Sequence, residues 1–342
     1  MPKRVTLADV AEQAGVSPTA VSLVLNNRPG SRLSPDTADR IRQVADELGY
    51  RPNRAAQSLR LGKTRTIGLL SDDVTVTRYA SAMIRGALDV AEASDHTVLI
   101  AETGSDRTRV ARALEVMLDH QPDGLIIALM GAKEIDVPAD AGRLPVVLLN
   151  ATSANGHTCV LPAEFDAGRA VASYLAERGH TRIALIGDHP ELRTIPRISA
   201  TIGHRFAGVE AGLGEHGLKL THDVIERFWE PEDGYAATNR LIEGGLDVTA
   251  VIAANDRVAF GIYQAAQEAG LRIPQDLSVI SFDDEVIAGY LRPTLTTARI
   301  PYEEMGRRAM SLVLAPDRPR GEILVEMPIQ VRGSVATRDA AS

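Results

Sequence analysis

The spacing of apolar residues opens the chain with two short helical patterns and a turn between them. Leu7, Val10, Ala11 and Ala14 repeat at helical spacing, stop at Gly15, and resume after Ser17 as Ala20, Val21, Val24 and Leu25. Gly15 tolerates the left-handed backbone that ends a helix, Ser17 can accept from the free amides of the next, and Pro18 suits a first turn that needs no donor. Thr6, with Asp9 three residues on, forms an acidic variant of the capping box. These signals predict a helix-turn-helix over 6–26 whose second helix turns Ser17, Thr19 and Ser22 outward, a chemistry suited to a DNA major groove. An ordinary helical hairpin has the same pattern. A third helix is predicted from Ser34 to about Leu48, with Pro35 in its first turn, Ile41, Val44, Ala45 and Leu48 as its buried stripe, and Gly49 as its stop.

The pattern then lapses over 51–64. Pro52 and Asn53 open this segment and Gly62 closes it, leaving room for only about two turns of helix, too few to persist alone in water. By itself it is a flexible linker; paired with a twin in a minor groove, it could fold on binding. From Thr66 onward the period changes. Continuous apolar runs at 67–70, 98–101, 125–129 and 146–149 alternate with helical stretches near 81–93 and 107–119. A second series has helices near 166–178, 203–216, 233–244 and 257–269, with strands near 183–187, 223–228, 250–253 and 277–282. Unbroken apolar strands are those of parallel sheets covered on both faces. Two doubly wound units in series place a ligand cleft between them, at the carboxyl ends of the strands.

Composition narrows the classes. At 342 residues, 44% hydrophobic and 24% charged, the chain is expected to be soluble and to form two or three compact units. No apolar run approaches the ~20 residues that span a bilayer, so no membrane partner is expected. MPKRVTLADV lacks the apolar stretch of a secretory signal, and Cys159, the single cysteine, has no internal disulfide partner. Both point to the cytoplasm. The net charge of −8 is unevenly spread: residues 1–65 hold eleven basic against six acidic residues, a net +5, which leaves −13 for the rest. A basic head on an acidic body directs any polyanion to the head.

Enzyme chemistry finds little support. The run from Gly212 to Gly217 matches the dinucleotide fingerprint by letter, but it closes a helix instead of opening one after a strand, and so reads as a helix cap. The pair Asp283-Asp284 has no His, Ser or Cys placed beside it to make a reaction centre. The eight histidines show no metal-ligand spacing; no metal and no cofactor are expected. A secreted binding protein would share the two doubly wound units, but with an export signal and without the basic head.

The runs VTLADVAEQAGVSPTAVSLVLN, LSPDTADRIRQVADELGYRPNRAAQSLR and TRTIGLL together resemble the N-terminal signature of the lactose/galactose repressor family of bacterial transcription regulators. AERGHTRIALIG, HRFAGVEAGL, VIAANDRVAFGIYQAAQEAGLRIPQDLSVISFDD, LTTARIPYEEMGRRAM and PIQVRGS continue the likeness in the family's order over essentially the whole chain. The resemblance implies an α/β fold: a three-helix head (1–50), a hinge helix (51–64), and two doubly wound subdomains of periplasmic-binding-protein type, 65–162 with 293–322 and 163–292 with 323–338. It implies a homodimer on a pseudo-palindromic double-stranded DNA operator, controlled by a small effector, a sugar or sugar derivative, in the interdomain cleft. Pro18, Thr19, Ala20 and Leu23 fall where bases are read, with Ser17 and Ser22 nearer phosphates. Thr6, Asn26, Tyr50 and Asn53 join the DNA-facing set. Leu59 takes the place of the leucine wedged into a central base step, and Arg60 follows it near the phosphates. Gln57 stands where the family often has Arg.

In the cleft, the resemblance assigns effector contacts to Arg205, Trp229, Asn255 and Asp283. Arg205 would donate a bidentate pair to vicinal hydroxyls or a carboxylate, and Asp283 would accept hydroxyl protons. Trp229 would stack on a sugar face. Structural alternatives are a surface salt bridge for Arg205 and a helix cap for Asp283. In the first subdomain SDDVTVTRYASAM departs from the family's Asn-Pro and paired aromatics, leaving Asp73 and Tyr79 as the candidates from that side.

Overall fold

The computed structural model describes residues 5–25, 33–51, 62–72, 78–104 and 107–338. Its contacts divide the chain into two units, 1–64 and 65–342. In the first, helices α1 (Leu7–Ala14), α2 (Pro18–Leu25) and α3 (Pro35–Glu47) close over Val10, Ala14, Val21, Val24, Ile41 and Val44. The helix ends are set locally. The Asp9 carboxylate accepts from the Thr6 amide at 2.7 Å while Thr6 Oγ1 accepts from the Asp9 amide at 3.4 Å, completing the capping box. Gly15 has φ +66°, Ser17 Oγ accepts from the Ala20 amide at 3.2 Å, and Ser34 Oγ accepts from Thr37 at 3.3 Å. Each of these oxygens pairs an amide that the helix itself leaves without a partner.

The second unit contains two six-stranded sheets. The first is all parallel, in the order β11-β5-β4-β3-β1-β2, with β1 (Thr66–Ser71), β2 (Thr97–Glu102), β3 (Gly124–Glu134), β4 (Val146–Thr152), β5 (Thr158–Pro162) and β11 (Gly321–Val325). Helices α4 (Arg78–Ala93), α5 (Arg107–Asp119) and α12 (Tyr302–Leu314) cover it. The second runs β12-β10-β9-β8-β6-β7, with β6 (Ile183–Asp188), β7 (His222–Ile225), β8 (Ala250–Ala253), β9 (Ser278–Asp283), β10 (Thr296–Arg299) and β12 (Ile329–Gln330), parallel except for β12. Its helices are α6 (Glu164–Ala176), α8 (Ile202–Glu215), α9 (Pro231–Glu243) and α10 (Asp256–Glu268), with the short α7 (Pro190–Thr194) and α11 (Val286–Tyr290) at its edges. Central strands are wholly buried, as their unbroken apolar sequences require.

Two expected domain boundaries move. The strand at 296–299 pairs with β9 of the second sheet, and 321–325 pairs with β5 of the first, so the chain changes sheet near 300 and again near 326, not at 293 and 323. Strands of four or five residues at a crossover carry too little periodicity to announce which sheet they join.

Close backbone packing fixes two parts of this unit. Gly168 on α6 lies against the Arg205 carbonyl on α8, and Gly208 on α8 against the Phe165 carbonyl; a Cβ at either position would fall 2.0 or 2.1 Å from that oxygen. The two helices therefore touch backbone to backbone, and Glu164 on one is fixed beside Arg205 on the other. Across the two sheets, the Ala200 amide donates to the Ala132 carbonyl and the Glu134 amide to the Pro196 carbonyl, each at 2.8 Å, so the long tail of β3 is stitched to the second subdomain.

Candidate functional site

In the first unit, α2 buries Val21 and Val24 and leaves Ser17, Pro18 and Thr19 exposed, with Ala20, Ser22 and Leu23 half-exposed beside them. This is the outward face that the sequence spacing selects. Thr6 is exposed, and its hydroxyl donates to Asp9 at 2.7 Å. Tyr50 packs partly against the three-helix core and its amide donates to the Ala45 carbonyl at 2.8 Å. Asn26, Asn53, Leu59 and Arg60 lie outside the described residues, as does Gln57.

In the second unit, the ends of β6, β8 and β9 bring Arg205, Trp229, Asn255 and Asp283 together. Trp229 Nε1 donates to the Gly187 carbonyl at 2.7 Å, Asn255 Nδ2 donates to the Trp229 carbonyl at 3.2 Å, and Trp229 meets Phe206 edge-on at 6.0 Å. Asn255 also caps α10, its Oδ1 accepting from the Val258 amide at 2.8 Å. Asp283 does not cap a helix; α11 begins after Glu285. Instead Asp283 and Asp284 both hold positive φ, +104° and +57°, a costly backbone for non-glycine residues and a mark of sites whose geometry the surroundings enforce.

Arg205 is buried, not a surface ion pair, and its Nε–Nη2 edge is already engaged. Nε and Nη2 form a fork on Glu164 at 2.7 and 2.8 Å, Nη1 donates to the Ala254 carbonyl at 2.7 Å, and Nη2 lies 3.6 Å from Asp283. The guanidinium also sits over the Phe282 ring, 4.5 Å from its centre. The bidentate pair expected for a ligand is thus made with Glu164, because the glycine contact between α6 and α8 holds that carboxylate within reach.

The local electrostatics come from crowding of acids. Burial works against the Arg205 charge, but Glu164 outweighs it and fixes the guanidinium in its charged form. Burial raises the Asp283 carboxyl to about 6, with Glu164 and Glu285 adding to the rise and Arg205 opposing it. Asp256 is raised to about 8 by burial and by Asp283, against hydrogen bonds from Ser281, from Thr297 at 2.8 Å and from the Glu285 amide at 2.6 Å. From the first subdomain, Tyr79 reaches this cluster: its hydroxyl feels the charges of Asp283 and Glu285, and its ring lies 4.9 Å from that of Tyr302. Burial and Asp283 push both tyrosine hydroxyls above their ordinary value, so both stay protonated donors. Asp73 lies outside the described residues.

Sequence reasoning misses Glu164, Glu285, Asp256 and Tyr302. Acids in a first helical turn ordinarily cap or face solvent, and nothing in PAEFDAG or SFDDEV distinguishes a buried one. At the carboxyl ends of β1, β2 and β3 there is also a cavity of about 850 Å³. Among the described residues, Leu70, Leu114 and Ile127 line it together with Asp72, Glu115, Asp119, Glu134, Asp136, Asp140, Lys133 and Arg197. Arg197, from the second subdomain, holds Asp136 through two bonds at 3.0 and 3.1 Å.

The glycine run, Asp284 and His180 have local structural surroundings. Gly217 ends α8 with φ +70°, and Leu218 donates back to the Leu213 carbonyl at 2.9 Å, the geometry of a helix C-cap. Asp284 is bound by Arg299 and Arg332. His180 is buried between Thr249 and the Ala336 carbonyl at 2.9 and 3.0 Å, and burial lowers its pKa. Among the described residues no group of His, Cys, Asp and Glu is arranged to hold a metal ion, and no helix is long and apolar enough to cross a membrane.

Comparison with known proteins adds to this geometry. Residues 172–335 match a periplasmic binding protein-like domain, and residues 6–53 match the bacterial regulatory proteins of the lacI family. The HTH-type transcriptional repressor PurR of Pasteurella multocida is 30% identical over 341 residues, covering 97% of this chain and 99% of its own. The ribose operon repressor of Haemophilus influenzae is 31% identical, covering 90% and 91%. Among solved structures, the lac repressor dimer bound to operator and the anti-inducer ONPF superposes with a TM-score of 0.76 at 26% identity, over 98% of this chain and all of that one. A helix-turn-helix head, two doubly wound subdomains and relatives matched almost end to end lead to one conclusion: the chain belongs to the lacI family of bacterial regulatory proteins.

Proposed function

We propose that the chain is a dimeric cytoplasmic repressor, not an enzyme, that binds operator DNA through its head and whose affinity for that DNA changes when a polyol effector, a sugar or sugar derivative, enters the cleft around Arg205 and Asp283. The observation that carries the reading is the convergence of Arg205, Asn255, Trp229 and Asp283 at the strand ends of the second sheet, with Tyr79 meeting them from the first subdomain. Groups gathered from both subdomains make the relative position of the two sheets depend on what lies between them. A ligand that favours one position shifts that equilibrium by its differential affinity alone. An apolar edge favours pairing of copies: Leu88 on α4, Ile100 on the edge strand β2 and Val116 on α5 are all exposed in the single chain.

In the head, Thr19 can hydrogen-bond a base edge and Leu23 can meet a thymine methyl, with Pro18 and Ala20 beside them and Ser17 and Ser22 toward phosphates. Leu59 would wedge a central step, with Arg60 following it and Thr6, Asn26, Tyr50 and Asn53 making backbone contacts. The test is selection of a preferred duplex from random DNA, followed by gel-shift titration of Thr19→Ala and Leu23→Ala. Each should weaken discrimination by about 1–3 kcal/mol at its own base position while ligand-induced thermal stabilisation stays as in the parent. Unchanged discrimination in both variants would refute α2 as the reading helix.

A further inference from the structure

Resting on the cleft reading above, we propose that the effector is a polyol bearing a protonated amine, of the amino sugar or aminocyclitol class, and that the cleft rejects sugar acids and sugar phosphates. The first support is that Arg205, a buried guanidinium at the site, has its Nε–Nη2 edge already taken by a carboxylate and Asp283 beside the rest. Its fork is spent on Glu164 at 2.7 and 2.8 Å and a further donor on the Ala254 carbonyl. A ligand carboxylate could take that fork only by stranding Glu164, which is 3% exposed and held by the contact of α6 with α8. Leaving a charge buried without its partner is strongly unfavourable.

The second support is the balance of charge. Glu164 and Asp283 both lie on Arg205, while Glu285 and Glu230 share Arg257, so four carboxylates face two guanidinium groups. Asp256, behind Asp283, accepts from Ser281, Thr297 and the Glu285 amide, and with its carboxyl raised to about 8 it stays outside this count. Tyr79 and Tyr302 complete the surroundings with two neighbouring rings and two hydroxyls. An ammonium group answers each element of this set: it supplies the missing charge and three donors, and aromatic faces attract it. Asp284, one residue on, shows that the surplus is local, since Arg299 and Arg332 both bind it. The third support is independent of this cluster. Among the described residues, the cavity at the ends of β1 to β3 is lined by six carboxylates and by Lys133 and Arg197, which itself holds Asp136, a net negative field that draws cations.

The test uses the full chain and matched sets of probes: hexosamines, their parent hexoses, the corresponding uronic acids and hexose 6-phosphates, with aminocyclitols beside their parent cyclitols, each titrated calorimetrically at pH 7. The expected result is an amine that binds at least tenfold more tightly than its neutral parent, no detectable binding of acids or phosphates, and weakening of the amine as pH falls through about 6, where Asp283 takes up a proton. A neutral or anionic member as the tightest ligand, or silence of every amine, overturns the proposal. Asp283→Asn separates this from the cleft reading. If a neutral sugar binds best and Asp283→Asn abolishes it, the cleft stands and the amine falls; if ligand binding ignores Asp283→Asn, the cleft reading falls as well. A second arm needs no effector. Glu164→Gln removes the charge and one of the two oxygens that hold the Arg205 fork, so sodium acetate should raise its melting midpoint relative to sodium chloride at equal ionic strength, while the parent chain shows no such difference. An acetate response in the parent equal to that of the variant overturns the closed state of Arg205, and if the variant does not fold, the parent's response alone decides.

Discussion

The head and the cleft solve opposite problems. In the head, the polar groups that matter stay in water, on helices each capped from three residues away: Ser17 to Ala20, Thr6 to Asp9 and Ser34 to Thr37. In the cleft, the polar groups are buried, drawn from segments 41 and 49 residues apart, and held in states they would not choose in water: Arg205 between two acids, Asp283 raised to about 6 on a left-handed backbone. The head sets its polar groups by local caps alone. The cleft holds buried charge on a costly backbone, and on the proposed reading a ligand that relieves it gains leverage over conformation.

The difference sharpens under mutation, beginning where the cleft is most tightly bound. Arg205→Ala leaves Glu164 and Asp283 buried without their cation and is expected to destabilise residues 65–338 by about 3–5 kcal/mol in urea unfolding, while the unfolding of the head, followed by amide exchange in α1 to α3, stays unchanged. Gly208→Ala drives a methyl into the Phe165 carbonyl and should cost about 3 kcal/mol by the same measure, with loss of ligand binding because Glu164 and Arg205 are pushed out of register.

Asp283→Asn should act in the other direction. The folded carboxyl has its pKa raised from 3.8 to about 6, so the native state holds the proton more tightly than the unfolded chain does. The stability this group contributes is present below about pH 4 and is lost as pH rises through 6. Asparagine keeps the neutral form at all pH, so the variant should match the parent at pH 4 and exceed it by roughly 2 kcal/mol at pH 7.5, in paired urea titrations. In the head the largest local change is smaller: Thr6→Ala removes the α1 cap and should cost about 1 kcal/mol, seen as faster amide exchange over 7–14 and nowhere in the cleft.

The same contrast explains what can be read from the chain. Helix starts at Thr6, Ser17 and Ser34 depend on neighbours in sequence, and so do the continuous apolar strands of both sheets. The cleft depends on partners that sequence separation hides. Likeness to a family motif places Arg205 but cannot assign its donors, because Glu164 reaches it only through Gly168 and Gly208 and the packing of α6 on α8. Glu285 and Tyr302 share this character: ordinary first-turn residues by pattern, made significant by the fold that sets them beside Tyr79 and Asp283. The crossings near 300 and 326 are hidden for a related reason, since β10, β11 and β12 are short and gain their identity from the strand they pair with.

The central claim is that occupancy of the cleft sets the affinity of the head for DNA. Fluorescence anisotropy of a labelled duplex selected from random DNA tests it directly, by the Kd of the dimer with and without a saturating concentration of the tightest polyol ligand. A shift of about 5- to 150-fold, the range of a 1–3 kcal/mol coupling, is expected in the parent, and none in Asp283→Asn at the same ligand concentration. An unchanged Kd in the parent, with calorimetry showing the cleft filled, would contradict the account.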